Sequence, residues 1–175
     1  MRLLTVGHGT ADRKQFSALL QEAKVQTLAD VRRFPGSRRN LDTRKEALEE
    51  WLPSEGIDYR WFEDLGGRRR NAAGEPETDT WWRVAQFRAY AAYTRTDEFA
   101  AALAELRAVA AQASTAIMCS ESVWWRCHRR IVADVLVLLH GFEVHHLMPD
   151  GRLTLHEPSA GARVSDSAVY WDVQD

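Results

Sequence analysis

Short apolar runs alternate with helical repeats along most of this chain, and that alternation restricts the fold more than any other feature. Leu3 to Gly7 reads as a buried strand, and Asp12 with Gln15 makes a cap for a helix whose Phe16, Leu19, Leu20 and Ala23 share one face. Thr27 to Arg32 is a second strand. After the loop Arg33 to Asn40, Thr43 and Glu46 have capping-box spacing ahead of a helix carrying Ala47, Leu48, Trp51 and Leu52. Ile57 to Phe62 is a third strand, followed by a Gly, Pro and charge-rich loop, Gly66 to Pro76, with the composition of a lid. Two helical patterns come next, one around Trp81 to Tyr93 and one carrying Phe99, Leu103, Leu106 and Ala110, before a fourth strand, Thr115 to Cys119. A helix with Ile131, Val132, Val135, Leu136 and Leu139 on a wide apolar face ends at Gly141, and Glu143 to Met148 supplies a fifth strand. The tail reads as irregular or hairpin structure. Strands separated by helices require right-handed crossovers. The expected architecture is therefore α/β, a single three-layer αβα domain over 1–175 with a mostly parallel sheet of about five strands.

A chain of 175 residues with 45% hydrophobic content can bury one substantial core. The first apolar run is too short for a signal peptide, and no stretch approaches the roughly 20 apolar residues needed to span a bilayer. A cytoplasmic protein with no membrane partner is expected, and its two cysteines are then free thiols. The formal net charge of -2 hides an asymmetry: 20 of the 23 basic residues are Arg, and ten of these lie in three clusters, Arg32 to Arg39, Arg68 to Arg70 and Arg126 to Arg130. The guanidinium fork matches phosphate and carboxylate, so clusters meeting at one cleft would suit a polyanion. Solvated charged faces are the competing reading of the same runs.

In a sheet wound on both faces, the loops leaving the carboxyl ends of the strands gather on one edge, where ligands bind. Gly7-His8-Gly9 follows the first strand, Arg32 to Asn40 the second, Arg68 to Arg70 the third, and Cys119 to His128 the fourth. Four polar loops, distant in sequence, are thus expected at one cleft. Cys119, near a helix start with Arg126, His128 and Arg129 close in sequence, is a candidate nucleophile; a packed strand-end thiol is the alternative. Glu121, in a turn flanked by tryptophans, is a candidate general acid or base, or holds an arginine in place. His128 is a candidate base, an anion donor or a first-turn residue satisfied by backbone. Cys127 reads as structural or as a resolving thiol. The separation of Cys119, Cys127, His128 and His8 argues against a tetrahedral metal site, so no metal is expected, and no cofactor is indicated. Trp81, Trp82, Trp124 and Trp125 are candidates for stacking on bases beside the arginines.

Thr5-Val-Gly-His8, Leu28-Ala-Asp-Val-Arg-Arg-Phe-Pro-Gly-Ser-Arg-Arg-Asn40, Leu65-Gly-Gly-Arg68, Met118-Cys-Ser-Glu121 and Arg126-Cys-His-Arg-Arg130 together resemble the domain of unknown function 488 family, in order and spacing, over nearly the whole chain. The resemblance implies a small bacterial-type α/β protein and names no reaction. Its motif positions fall on His8, Asp30, Arg32, Pro35, Ser37, Arg38, Arg39, Gly66, Gly67, Arg68, Cys119, Glu121, Cys127, His128 and Arg129. A more local similarity, Asp30-Val31-Arg32 and a strand delivering Cys119 to a loop, looks like the rhodanese arrangement and implies sulfur transfer.

Two functions follow from these residues. One is an enzyme acting on a nucleotide, nucleic acid or other phosphorylated substrate. In that reading His8, Arg32, Ser37, Arg38, Arg39, Arg68, Arg126 and Arg129 form the anion-binding wall, and Cys119, Glu121 and His128 lie near the chemistry. The other is a non-catalytic module that recognises nucleic acid through the same cleft. A closed pocket floored by Cys119 or Glu121 favours the enzyme, and a long open groove favours binding.

Overall fold

The computed structural model describes residues 1–70 and 78–173. Strand β1 (Arg2–Gly7) leads to α1 (Arg13–Glu22), β2 (Thr27–Asp30), α2 (Lys45–Trp51), β3 (Asp58–Trp61), α3 (Ala85–Tyr93), α4 (Asp97–Ala110), β4 (Thr115–Cys119), α5 (Arg129–His140) and β5 (Glu143–Leu147). Three short strands end the chain: β6 (Leu153–Leu155), β7 (Ala162–Ser165) and β8 (Ala168–Trp171). The sheet order is β3-β2-β4-β1-β5-β6, with β1 to β5 paired in parallel and β6 antiparallel to β5.

Alternation along the strands divides the core into two layers. Leu4, Val6, Leu28, Ala116 and Met118 point to the face covered by α1 and α2, through Phe16, Leu20, Leu48 and Trp51. Leu3, Ala29, Ile117 and Val144 point to the opposite face, covered by α3, α4 and α5 through Tyr90, Phe99, Leu106, Ile131 and Val132. Helices on both faces of a mostly parallel sheet make the three-layer αβα arrangement. Among the described residues, no helix is long and apolar enough to cross a membrane.

Some local signals play out differently from their sequence reading. Asp12 and Gln15 do form a reciprocal capping box at α1. Thr43 and Glu46 do not cap α2: Thr43 is drawn into a 3-10 turn (Leu41–Thr43), where its hydroxyl donates to the Asn40 carbonyl, and α2 begins after Arg44 with no side-chain cap. Its carbonyl accepts from Arg32 Nη2 at 2.8 Å, so a buried guanidinium takes the place of the box. Trp81 and Trp82 precede α3 instead of joining it, because the Trp81 amide donates to the Trp171 carbonyl of β8. The lid expected within Gly66 to Pro76 falls partly on 71–77, outside the described residues.

The tail adds β6 to the sheet and lays the β7-β8 hairpin over α5. A buried polar chain fastens it. Asp134 of α5 accepts from Trp171 Nε1 (2.7 Å), the Ser159 amide (3.0 Å) and His156 Nε2 (2.8 Å). His156 Nδ1 in turn meets His146 Nε2 at 2.9 Å, and His146 Nδ1 meets the Thr5 hydroxyl at 2.7 Å. Every ring nitrogen of this chain has a partner, so both imidazoles are held in place between the carboxylate and the hydroxyl. Burial, reinforced by His156 and Arg129, lowers His146 to about 3.

Candidate functional site

Strand β4 is inserted between β2 and β1, so the chain winds away from it in both directions and the loops after these three strands splay at a switch point. The backbone ties two of those loops together at the outset: the His8 amide donates to the Cys119 carbonyl (3.1 Å) and the Gly9 amide to the Ser120 carbonyl (3.0 Å). Gly7 is required at this junction. A Cβ there would overlap the Glu121 carbonyl and press on the Arg129 guanidinium at 2.9 Å.

The resulting cleft, about 400 Å³, has Cys119, Cys127 and His128 at its floor. Arg32, Arg33, Arg68 and Arg126 form its cationic walls, Phe34, Phe87 and Tyr90 its aromatic ones, and Ser37, Ser120 and Glu121 lie around it. A shallower depression of about 740 Å³ adjoins it across His8, Ser37, Ser120 and Glu121, and includes Arg39. Arg33, Arg68 and Arg126 have no carboxylate partner among the described residues. Arg33 and Arg68 instead flank Phe34, their guanidinium carbons 5.5 and 6.0 Å from its ring centre, and Phe34 is 60% exposed.

Arg32 is a different kind of residue. It is buried and grips Asp30 bidentately, Nε to Oδ1 at 2.8 Å and Nη2 to Oδ2 at 2.6 Å, while Tyr59 donates to the same carboxylate at 2.7 Å. Its remaining nitrogen, Nη1, donates to His8 Nε2 at 3.2 Å, and His8 Nδ1 donates to the Gly9 carbonyl at 2.9 Å. Burial and the adjacent Arg32 charge lower His8 to about 4, so this imidazole is neutral with both nitrogens engaged. Together they set a rigid corner of the cleft in which Asp30 balances the Arg32 charge.

The floor is built by one loop folding back. After Cys119 the chain makes a 3-10 turn (Trp124–Arg126) and returns at Cys127, which sits one residue before the His128 cap of α5. His128 Nε2 donates to the Val31 carbonyl at 2.9 Å, which leaves Nδ1 as an acceptor, 3.6 Å from Cys127 Sγ and 3.9 Å from Cys119 Sγ. The two sulfurs and this nitrogen all lie within 4.8 Å of one another. Burial alone would raise Cys127, but its hydrogen bond with Cys119 and the charge and N–H groups of Arg129 outweigh it and lower this thiol. The same Cys119 hydrogen bond, together with burial, pushes Cys119 up. Of the two thiols, Cys127 is the one that gives up its proton more readily.

Among the residues singled out from sequence, His8, Arg32, Ser37, Arg68, Cys119, Glu121, Arg126 and His128 line the main cleft, and Arg39 reaches only the adjoining depression. Arg38 is exposed and lines neither. Arg129 lies behind the floor instead of on the wall: it is 1% exposed, donates through Nε to Cys127 Sγ at 3.4 Å, and donates through Nη2 to the Glu121 carbonyl. Glu121 is exposed at the cleft, so it is its backbone, not its carboxylate, that holds an arginine. The separation in sequence that argued against a shared metal is cancelled by the returning loop, which brings Cys119, Cys127 and His128 together; His8 is not part of that set.

None of the four tryptophans lines the main cleft. Trp82 is buried, Trp81 packs on Gly161, and Trp124 stacks on His146 with ring centres 4.0 Å apart. Only Trp125 of the four is exposed, at 45%. The tail packs on the other three, through Gly161, Trp171 and His156, and it carries no periodic signal of where it will dock. Sequence reasoning also left out Arg33, Phe34, Phe87 and Tyr90 as cleft residues. Arg33 and Phe34 lay within the arginine loop already singled out, where the exposed aromatic between cations was the available signal.

Fold and cleft define a class: an α/β protein wound on both faces of its sheet, with an arginine-walled, thiol-floored site at the carboxyl edge. A family model described as a domain of unknown function, DUF488, matches residues 12–136. The chain belongs to that family. No curated protein and no solved structure matches it.

Proposed function

We propose that this protein is an enzyme acting on a phosphorylated substrate, a nucleotide, nucleic acid or other phosphate ester, in the cleft above Cys119, Cys127 and His128. The observation that carries this reading is the meeting of two unlike features. Three arginines without carboxylate partners among the described residues, Arg33, Arg68 and Arg126, line the same cleft as a buried pair of thiols and an imidazole whose Nδ1 is turned to them. The cations bind and orient the phosphate, and the floor cluster is the reaction centre. A module that only held nucleic acid would have no use for electron-rich sulfur and nitrogen donors at the bottom of its groove.

A second reading, a non-catalytic nucleic-acid-binding module, is favoured by Phe34, exposed between two guanidinium groups as a platform on which a base can stack. Sulfur transfer through Cys119 is the least supported, because burial and Cys127 hold this thiol protonated. The test is turnover of a panel of nucleotides, oligonucleotides and phosphate esters followed by mass spectrometry. Product formation that His128→Gln abolishes, with substrate binding retained, supports the enzyme. Binding of oligonucleotides with no product from any substrate supports the module and overturns the enzyme.

A further inference from the structure

We propose that Cys119, Cys127 and His128 form a metal site for a thiophilic divalent cation, zinc above all, with its fourth position open to the cleft. The argument is geometric. A zinc ion bound by two thiolates at about 2.3 Å and one imidazole at about 2.0–2.1 Å in a tetrahedron separates sulfur from nitrogen by about 3.6 Å. In this protein the Nδ1 to Sγ separations are 3.6 Å for Cys127 and 3.9 Å for Cys119, and all three donor atoms fall within 4.8 Å. A tetrahedral site holds its two sulfurs about 3.8 Å apart, so side-chain shifts of up to about 1 Å would complete the first three ligands.

The surroundings match a metal site as well as the donors do. His128 anchors its other ring nitrogen, Nε2, on the Val31 carbonyl at 2.9 Å, which fixes the tautomer and turns the Nδ1 lone pair toward the sulfurs, the arrangement that orients metal-bound histidines. Arg129 donates to Cys127 Sγ at 3.4 Å from behind, as outer hydrogen-bond donors do to metal thiolates. Neither cysteine is in a disulfide. All three ligand residues line the cleft, so a fourth ligand approaches from the side where Arg68 and Arg126 stand. Three protein ligands and one open position is the pattern of a catalytic and not a structural site. There the ion would polarise a phosphate oxygen or a bound water; that role rests on the cleft being an active site, whereas the binding of metal does not.

The experiment uses the full chain, reduced and stripped with a chelator, titrated with cobalt(II) as a spectroscopic probe and then with zinc in competition. One equivalent of cobalt should bind with thiolate-to-metal charge-transfer absorption, and zinc should displace it. Cys119→Ser and Cys127→Ser should each reduce that absorption and the double variant abolish it, and His128→Gln should weaken affinity about tenfold or more. The proposal is overturned if the wild-type chain gives no thiolate charge-transfer band, a result that stands even where a variant fails to fold. It is equally overturned if folded cysteine variants keep the wild-type spectrum. Binding of tungstate, a phosphate mimic, to the metal-free protein reads the arginine wall separately, so failure of the metal site and failure of the phosphate reading leave different records.

Discussion

Two polar clusters lie close together in this molecule, and they differ in what they leave unsatisfied. In the chain Asp134, His156, His146 and Thr5, every imidazole nitrogen has a protein partner, the carboxylate accepts three donors, and Trp124 stacks over His146. In the cleft, His128 commits one nitrogen to Val31 and turns the other to two sulfurs, while three arginines stand without carboxylates among the described residues. A closed network stabilises. An open one at the switch point of the sheet has capacity left for a ligand.

The largest effect should come from breaking the closed cluster. Asp134→Ala strands three donors in the core and should cost about 3–5 kcal/mol of stability in urea denaturation. A loss below about 1 kcal/mol would mean the network is not what fastens the tail.

Acid should act next. His146 and His8 titrate near 3 and 4 in the folded protein, below the 6.5 of an unperturbed histidine. Between those values and about 6.5 the unfolded chain binds more protons, so stability falls as pH drops through that window and is fully present above it. The contribution is on the order of a few kcal/mol. Urea midpoints measured from pH 7.5 to 4 should show the fall, and His146→Gln and His8→Gln should each flatten it. A fall that neither substitution changes would break the comparison.

On the open side, Arg33→Ala with Arg68→Ala should weaken phosphate or tungstate binding by tenfold or more, measured by calorimetry, while stability stays within about 0.5 kcal/mol. Phe34→Ala sharpens the choice of ligand. Nucleotide affinity should drop by about 1 kcal/mol and that for inorganic phosphate should not move, if bases stack there. Arg38→Ala should change neither, because Arg38 lines neither depression.

Much of this was legible in the sequence, for identifiable reasons. The five parallel strands and the cap at Asp12 come from local periodicity and spacing, which the short-range physics of the backbone enforces. So did the meeting of His8, Arg32, Arg68 and Cys119, because a sheet with helices on both faces collects the loops at one edge. What stayed hidden was decided by contacts between distant segments. Thr43 lost its cap to the needs of Arg32, and Arg129 was drawn behind the floor by the Glu121 carbonyl that crosses Gly7. Cys127 reaches Cys119 only through a tight turn whose return path no spacing rule encodes. The His146 and His156 network joins four separate elements, β1, β5, α5 and β8, and has no local mark at all.

The central claim, that unpaired arginines hold a phosphate over the thiol and imidazole floor, is tested most directly by a crystal of the full chain soaked with tungstate. The account predicts anomalous density between Arg68 and Arg126 above Cys127 and His128, lost in Arg33→Ala with Arg68→Ala. An empty cleft with tungstate bound elsewhere, or density there that survives removal of both arginines, would contradict it.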